Sequence, residues 1–400
     1  MINIRNLLPL YVIIFLGFFG YALTVALFIP MLADENFNLL PLNTSISFRA
    51  TLSGFLLAAY PLGQFLGSPI MGKLSDYYGR KKVLTLSLFA CLFGFSGIAL
   101  SIEYHNLSLL FMNCFLTGLF ESNMSISQSI IADNCKDSIK KNKLIGYAFS
   151  ACSLGYIMGP LIGGLSAKLG YSAPFWITSF AIIPVVAWVF WGCKDISNRR
   201  LSGKINFLEA ITAFKSIFTH RKLFKIYFIN FLIFFSVQGL YRVSPLYVEN
   251  EWKPSLQIFT ILMAYVSTLC FLANLFIMGP LSKRFSTEKL LSALLLFGGI
   301  SAIVIVIPDS FSWIWLTYGI AVMPTVMLLT VCTTLLSNQA SIEEQGQVLG
   351  NNQALLVLGE CLSASIGGLI SAIMIQLPVV VMGLLLLLAN FMFKKRSIYY

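Results

Sequence analysis

Charge is what this chain has least of. Only 11% of its 400 residues are charged, and the acids are the scarcer sign, 16 Asp and Glu against 27 Lys and Arg. Histidine occurs twice, as His105 and His220, and the 8 cysteines form no CxxC pair and no Cys/His cluster. Metal sites of that kind, and a disulfide framework, are therefore excluded. No nucleophile–base pair and no phosphate-binding loop appears either, so an enzyme is not expected. Long polar segments are missing too: the longest runs over about 194–222, too short for a soluble domain. Also absent is the apolar/polar alternation of a membrane barrel.

What fills the space is apolar. Hydrophobic residues make up 58% of the chain and its mean hydropathy is +0.83. A continuous run of roughly 20 such residues crosses a bilayer as a helix, with its backbone groups paired internally. Twelve runs are expected to do so, at 8–33, 49–71, 83–103, 106–133, 145–168, 172–193, 223–248, 255–279, 290–307, 310–338, 346–374 and 377–393. The fold class is an all-α membrane protein. The first run is too long for a cleaved signal peptide and is read as a retained helix.

The net charge of +11 does not mark a nucleic-acid partner, because of where the cations fall. With both termini in the cytoplasm, 22 of the 27 Lys and Arg lie in cytoplasmic segments, among them Lys73, Arg80, Lys81, Lys82, Lys140, Lys141, Lys283 and Lys394. That asymmetry is the positive-inside rule. The runs divide six and six, giving an N-terminal bundle over 1–193, a cytoplasmic linker over 194–222 and a C-terminal bundle over 223–400. In the linker, Leu208, Ile211, Phe214 and Phe218 recur at helical spacing among cations, as in an amphipathic helix lying on the membrane surface.

Polar groups inside the runs are the functional candidates. Asn113, Thr117, Glu121, Ser125 and Gln128 recur every three or four residues and form a stripe along the fourth run. Glu121 falls near mid-span, where an ionisable group is costly and points to function. It is a candidate proton carrier; a permanently protonated structural Glu is the alternative. Glu360, near the centre of the eleventh run, is treated alike. Arg242 lies about a turn and a half from the outer end of the seventh run, on a face shared with Tyr227, Asn230 and Gln238. It can hold an anionic substrate, neutralise one of the acids, or snorkel to the interface.

Three motifs add a family resemblance. Gly72-Lys73-Leu74-Ser75-Asp76-Tyr77-Tyr78-Gly79-Arg80-Lys81-Lys82 joins the second and third runs, with a worn copy at Gly279-Pro280-Leu281-Ser282-Lys283-Arg284. Gly155-Tyr156-Ile157-Met158-Gly159-Pro160-Leu161-Ile162-Gly163-Gly164 lies in the fifth run, and Ala173-Pro174-Phe175-Trp176 opens the sixth. Together these resemble the Major Facilitator Superfamily, in particular its tetracycline-resistance and multidrug branch of drug/proton antiporters. The resemblance implies two pseudo-symmetric six-helix halves and alternating access. It implies proton-coupled efflux of small amphiphilic compounds from a bacterial inner membrane, driven by the proton gradient without a cofactor.

The resemblance also assigns residues. Asp76 is implied to cap the eleventh helix near Gln345 and Gly346, and Arg80 to pair with Asp133. Gly72 and Gly79 are read as permitting the tight turn between helices. Gly155, Gly159 and Gly163, spaced four apart, allow close helix packing, and Pro160 can bend the helix. Tyr21, Tyr156, Phe234 and Tyr241 sit on helices that line the family's cavity. The position of the family's fourth-helix Arg holds Cys114 here, which leaves the proton route to Glu121 or Glu360, or the driving ion to another species. Expected partners are lipid and a small-molecule substrate, with the protein a monomer. Import or export of a polar metabolite such as a siderophore or carboxylate stays open, as does a receptor or scaffold that has lost transport.

Overall fold

The computed structural model describes residues 7–41, 43–121, 123–134, 138–192, 221–339 and 345–397. The linker residues 194–220, including the amphipathic positions 208–218, lie outside them. Every long element is helical: α1 (Leu8–Ala33), α2 (Ile46–Tyr78), α3 (Arg80–Glu103), α4 (Leu107–Phe120), α5 (Asn123–Asn134), α6 (Ser138–Ser166) and α7 (Ala173–Gly192). After the linker come α8 (Arg221–Trp252), α9 (Leu256–Leu272), a π-helical turn (Ala273–Ile277) and α10 (Met278–Arg284). The chain continues with α11 (Thr287–Val304), α12 (Phe311–Gln339), α13 (Gln345–Ser371) and α14 (Leu377–Ser397).

Ten helical spans among the described residues are long and apolar enough to cross a membrane. The second and fourth expected runs are not among them. Tyr60, Pro61 and Gln64 dilute the apolar character of α2. The fourth run is not one helix: α4 stops at Phe120, Glu121 adopts extended backbone at φ −75° and ψ 109°, and α5 begins at Asn123. Contacts group the chain into two compact units, residues 1–42 with 59–211 and residues 43–58 with 212–400. Membership of the second unit by the first part of α2 follows from glycine contact. A Cβ on Gly54 would lie 2.6 Å from the Gly368 Cα of α13, and Thr51 Oγ1 donates to the Gly368 carbonyl at 3.3 Å.

Small residues set the helix pairs of the first unit. Gly155 and Gly159 of α6 lie against the α1 backbone, where a Cβ would come within 2.7 Å of Phe15 O and 2.8 Å of Phe19 O; Gly163 meets Leu23. Pro160 is tolerated inside α6. The tighter seam joins α2 to α4. An added Cβ would sit 2.2 Å from Phe115 O at Gly63, 1.8 Å from Leu119 O at Gly67 and 2.0 Å from Tyr60 O at Gly118. In the second unit α8 pairs with α13 in the same manner, Gly359 against the backbone of Phe234 and Phe235, and Gly367 against Val243.

The segment between α2 and α3 is shorter than the sequence suggests. Gly72 is an ordinary helical residue of α2 with open space around it, so neither a turn nor a close approach requires glycine there. Gly79 alone makes the turn, at φ 101°, a conformation that disfavours side chains.

Candidate functional site

Each unit buries a carboxyl in the body of its bundle, and the two are held by different chemistry. In the first unit the α2–α4 seam brings Tyr60 and Gln64, one turn apart on α2, onto Glu121. The Tyr60 hydroxyl donates to Glu121 Oε2, and Gln64 Nε2 donates to the same oxygen at 2.9 Å. Glu121 is 7% exposed and Tyr60 1%. Where α4 ends its carbonyls lose their helical partners, and Ser87 of α3 meets one of them, its Oγ donating to Phe120 O at 2.7 Å. The Tyr60 ring is braced by Tyr21 at 5.0 Å, and Tyr21 in turn meets Tyr156 at 6.1 Å.

The rest of the expected polar stripe is dispersed. Asn113 turns to α3, donating to Ser101 Oγ at 3.0 Å and lying against Gly97. Thr117 is buried against Gly94 and donates to the Asn113 carbonyl at 2.6 Å. Ser125 is exposed and Gln128 half-buried on α5. A helix broken at Glu121 does not carry one stripe from end to end. Cys114 is fully buried.

In the second unit Arg242 of α8 pairs with Glu360 of α13 through Nη2 and Oε1, with side chains 4% and 8% exposed. Gln238 lies one turn before Arg242 on the same helix. Arg242 stands ten residues before the end of α8 at Trp252, about 15 Å at 1.5 Å per residue. That is nearly three turns rather than one and a half, and the guanidinium is committed to a buried acid, so snorkelling does not describe it. Nearer the start of α8, Asn230 donates to Asn352 Oδ1 at 2.9 Å and Asn352 to Thr333 Oγ1 at 3.3 Å, tying α8, α13 and α12 together. Phe234 is fully buried at the α8–α13 seam. The Tyr241 hydroxyl lies 3.2 Å from Cys270 Sγ.

Asp76 and Arg80 form an ion pair with each other at 3.0 Å across the α2–α3 turn. The side chains of Asp133, Gln345 and Gly346 lie outside the described residues; Asp133 belongs to α5 and Gln345 opens α13. Tyr60, Gln64 and Ser87 were not singled out from the sequence. For the first two the signal was present: Tyr60, Gly63, Gln64 and Gly67 put two polar groups and two small residues on adjoining faces of α2.

The sequence matches the Major Facilitator Superfamily over residues 10–264 and 226–397. The chain belongs to that superfamily. It is 25% identical over 342 residues to Multidrug resistance protein 2 of Bacillus subtilis, covering 84% of this chain and 83% of that protein. It is 27% identical over 331 residues to the class B tetracycline resistance protein of Escherichia coli, covering 80% and 78%. The solved structure of the POT family transporter PepTSo matches with a TM-score of 0.79 at 14% identity, over 100% of this chain and 99% of that one, which establishes the shared fold. The chain is thus a multi-pass integral membrane transporter.

Proposed function

We propose that this superfamily member exports small amphiphilic compounds across a bacterial cell membrane by alternating access, in exchange for protons carried by Glu121. Twelve crossings with both termini in the cytoplasm complete this reading, and the proton gradient replaces any cofactor. The names of its multidrug and tetracycline relatives support the direction of transport. The observation that carries the proton assignment is the pair of neutral donors on Glu121. Both bonds end on Oε2, so a proton on Oε1 leaves Oε2 as a carbonyl that accepts them unchanged. The carboxyl can therefore gain or lose its proton without repacking. Glu360 differs, because neutralising it strands Arg242 in a buried site.

The test uses proteoliposomes with tetracycline and ethidium as probes under an imposed pH gradient. Glu121→Gln, which mimics the protonated acid, is expected to bind and exchange the probes but not concentrate them. Glu360→Gln is expected to weaken binding or stability while leaving residual uphill transport. Uphill transport by Glu121→Gln, with Glu360→Gln inactive, moves the carrier to α13.

A further inference from the structure

The carrier role of Glu121 leaves open what sets the pH at which its proton moves. Its hydrogen-bond partners come from one helix. Tyr60 and Gln64 both belong to α2, and both donate to a single oxygen. The titratable groups near the pair are weak acids: Cys91 from α3, Cys114 from α4 and Cys152 from α6, with Tyr21 of α1 against the Tyr60 ring. No charged partner appears among the described residues that act on Glu121.

Tyr60 is also held unusually firmly. Its carbonyl would lie 2.0 Å from a Cβ at Gly118, three residues before Glu121 on α4. Donor helix and acceptor helix therefore touch backbone to backbone beside the bond. With its ring braced by Tyr21, the hydroxyl has little room to retreat when Glu121 changes protonation state.

We infer that Tyr60 is the positioning residue that sets the pH range in which Glu121 exchanges its proton, with Gln64 as its second donor. The inference rests on the proposed carrier role of Glu121. A donor strengthens its bond when the acceptor becomes charged, so a fixed O–H on Oε2 favours the carboxylate over the acid. Without it the acid persists to higher pH. The Tyr60 hydroxyl contributes through Glu121 and needs no contact with the substrate.

The experiment measures tetracycline transport in proteoliposomes of the full chain at a constant pH difference while the absolute pH is varied. Tyr60→Phe keeps the ring and removes the hydroxyl. Its rate profile is expected to move by about one pH unit to the alkaline side, the order of the difference between a charged and a neutral hydrogen bond. Gln64→Leu, at a half-buried position, is expected to move it the same way, which keeps the test available if Tyr60→Phe does not fold. A uniform loss of rate at every pH, with the profile in place, is the signature of a purely structural role and overturns the inference. Glu121→Gln is run in parallel. If it has lost uphill transport and the two donor variants show unmoved profiles, Tyr60 loses its role while the carrier stands. If it still concentrates tetracycline, both readings fall.

Discussion

Replacing one glycine by alanine tests the packing argument, because the same change should have opposite effects at two positions of the α2–α4 region. At Gly72 the residue is helical and an added Cβ meets nothing within 4 Å. Only helix propensity remains, and Gly72→Ala is expected to stabilise by up to about 1 kcal/mol. At Gly118 the same gain is opposed by a Cβ that would lie 2.0 Å from Tyr60 O. Backbone cannot rotate away as a flexible side chain does. Restoring an ordinary contact near 3.4 Å requires α2 and α4 to part by roughly 1 Å or more, and overpacking of that kind costs about 1–3 kcal/mol. The Gln64–Glu121 bond, now 2.9 Å, would then lengthen beyond hydrogen-bonding range. Gly118→Ala should therefore lower the melting temperature of the detergent-solubilised protein and impair proton-driven transport together, whereas Gly72→Ala should do neither. Equal melting temperatures and equal transport in the two variants would refute the seam as the element that holds Glu121.

Two further outcomes are expected. Arg242→Met or Glu360→Gln alone leaves one buried charge without its partner and should cost about 3–5 kcal/mol, whereas the double change to Met at both positions should recover most of it; thermal unfolding of the three variants checks this, and a double variant no better than either single one contradicts the pairing. Asp76→Asn removes an ion pair whose acid is 40% exposed, so its stability effect should stay below about 1 kcal/mol. A transport defect at unchanged melting temperature would then be functional in origin.

Much of the fold was legible because membrane helices announce themselves by length and apolarity. The expected run 8–33 and the helix Leu8–Ala33 coincide, and most other runs differ from their helices by a few residues. What escaped the sequence was decided between helices. The run 106–133 contains no proline, and a lone glycine such as Gly118 does not by itself mark a helix end; the break at Glu121 is visible only with Ser87 and α2 in place. Periodicity grouped Asn113 and Thr117 with Glu121, but Gly94 and Gly97 of α3 open room for the first two. The likeness of Glu121 and Glu360 was equally deceptive. Each is an acid near the middle of an apolar run, and what separates them is the neighbour: a phenol and an amide for one, a guanidinium for the other.

The π-helical turn at Ala273–Ile277 has a consequence for how this chain tolerates change. An α-helix advances about 100° per residue, and a π turn holds one residue more than the α ladder needs. It thus acts as a slack link in the register of its span. Losing one residue there would restore plain α-helix while the faces of α9 and of Met278–Arg284 stay in phase. The same loss early in α8 would swing Asn230, Phe234, Gln238 and Arg242 away from α13 at once. Length variation among descendants of this chain should accordingly be forgiven at residues 273–277 and purged from α8.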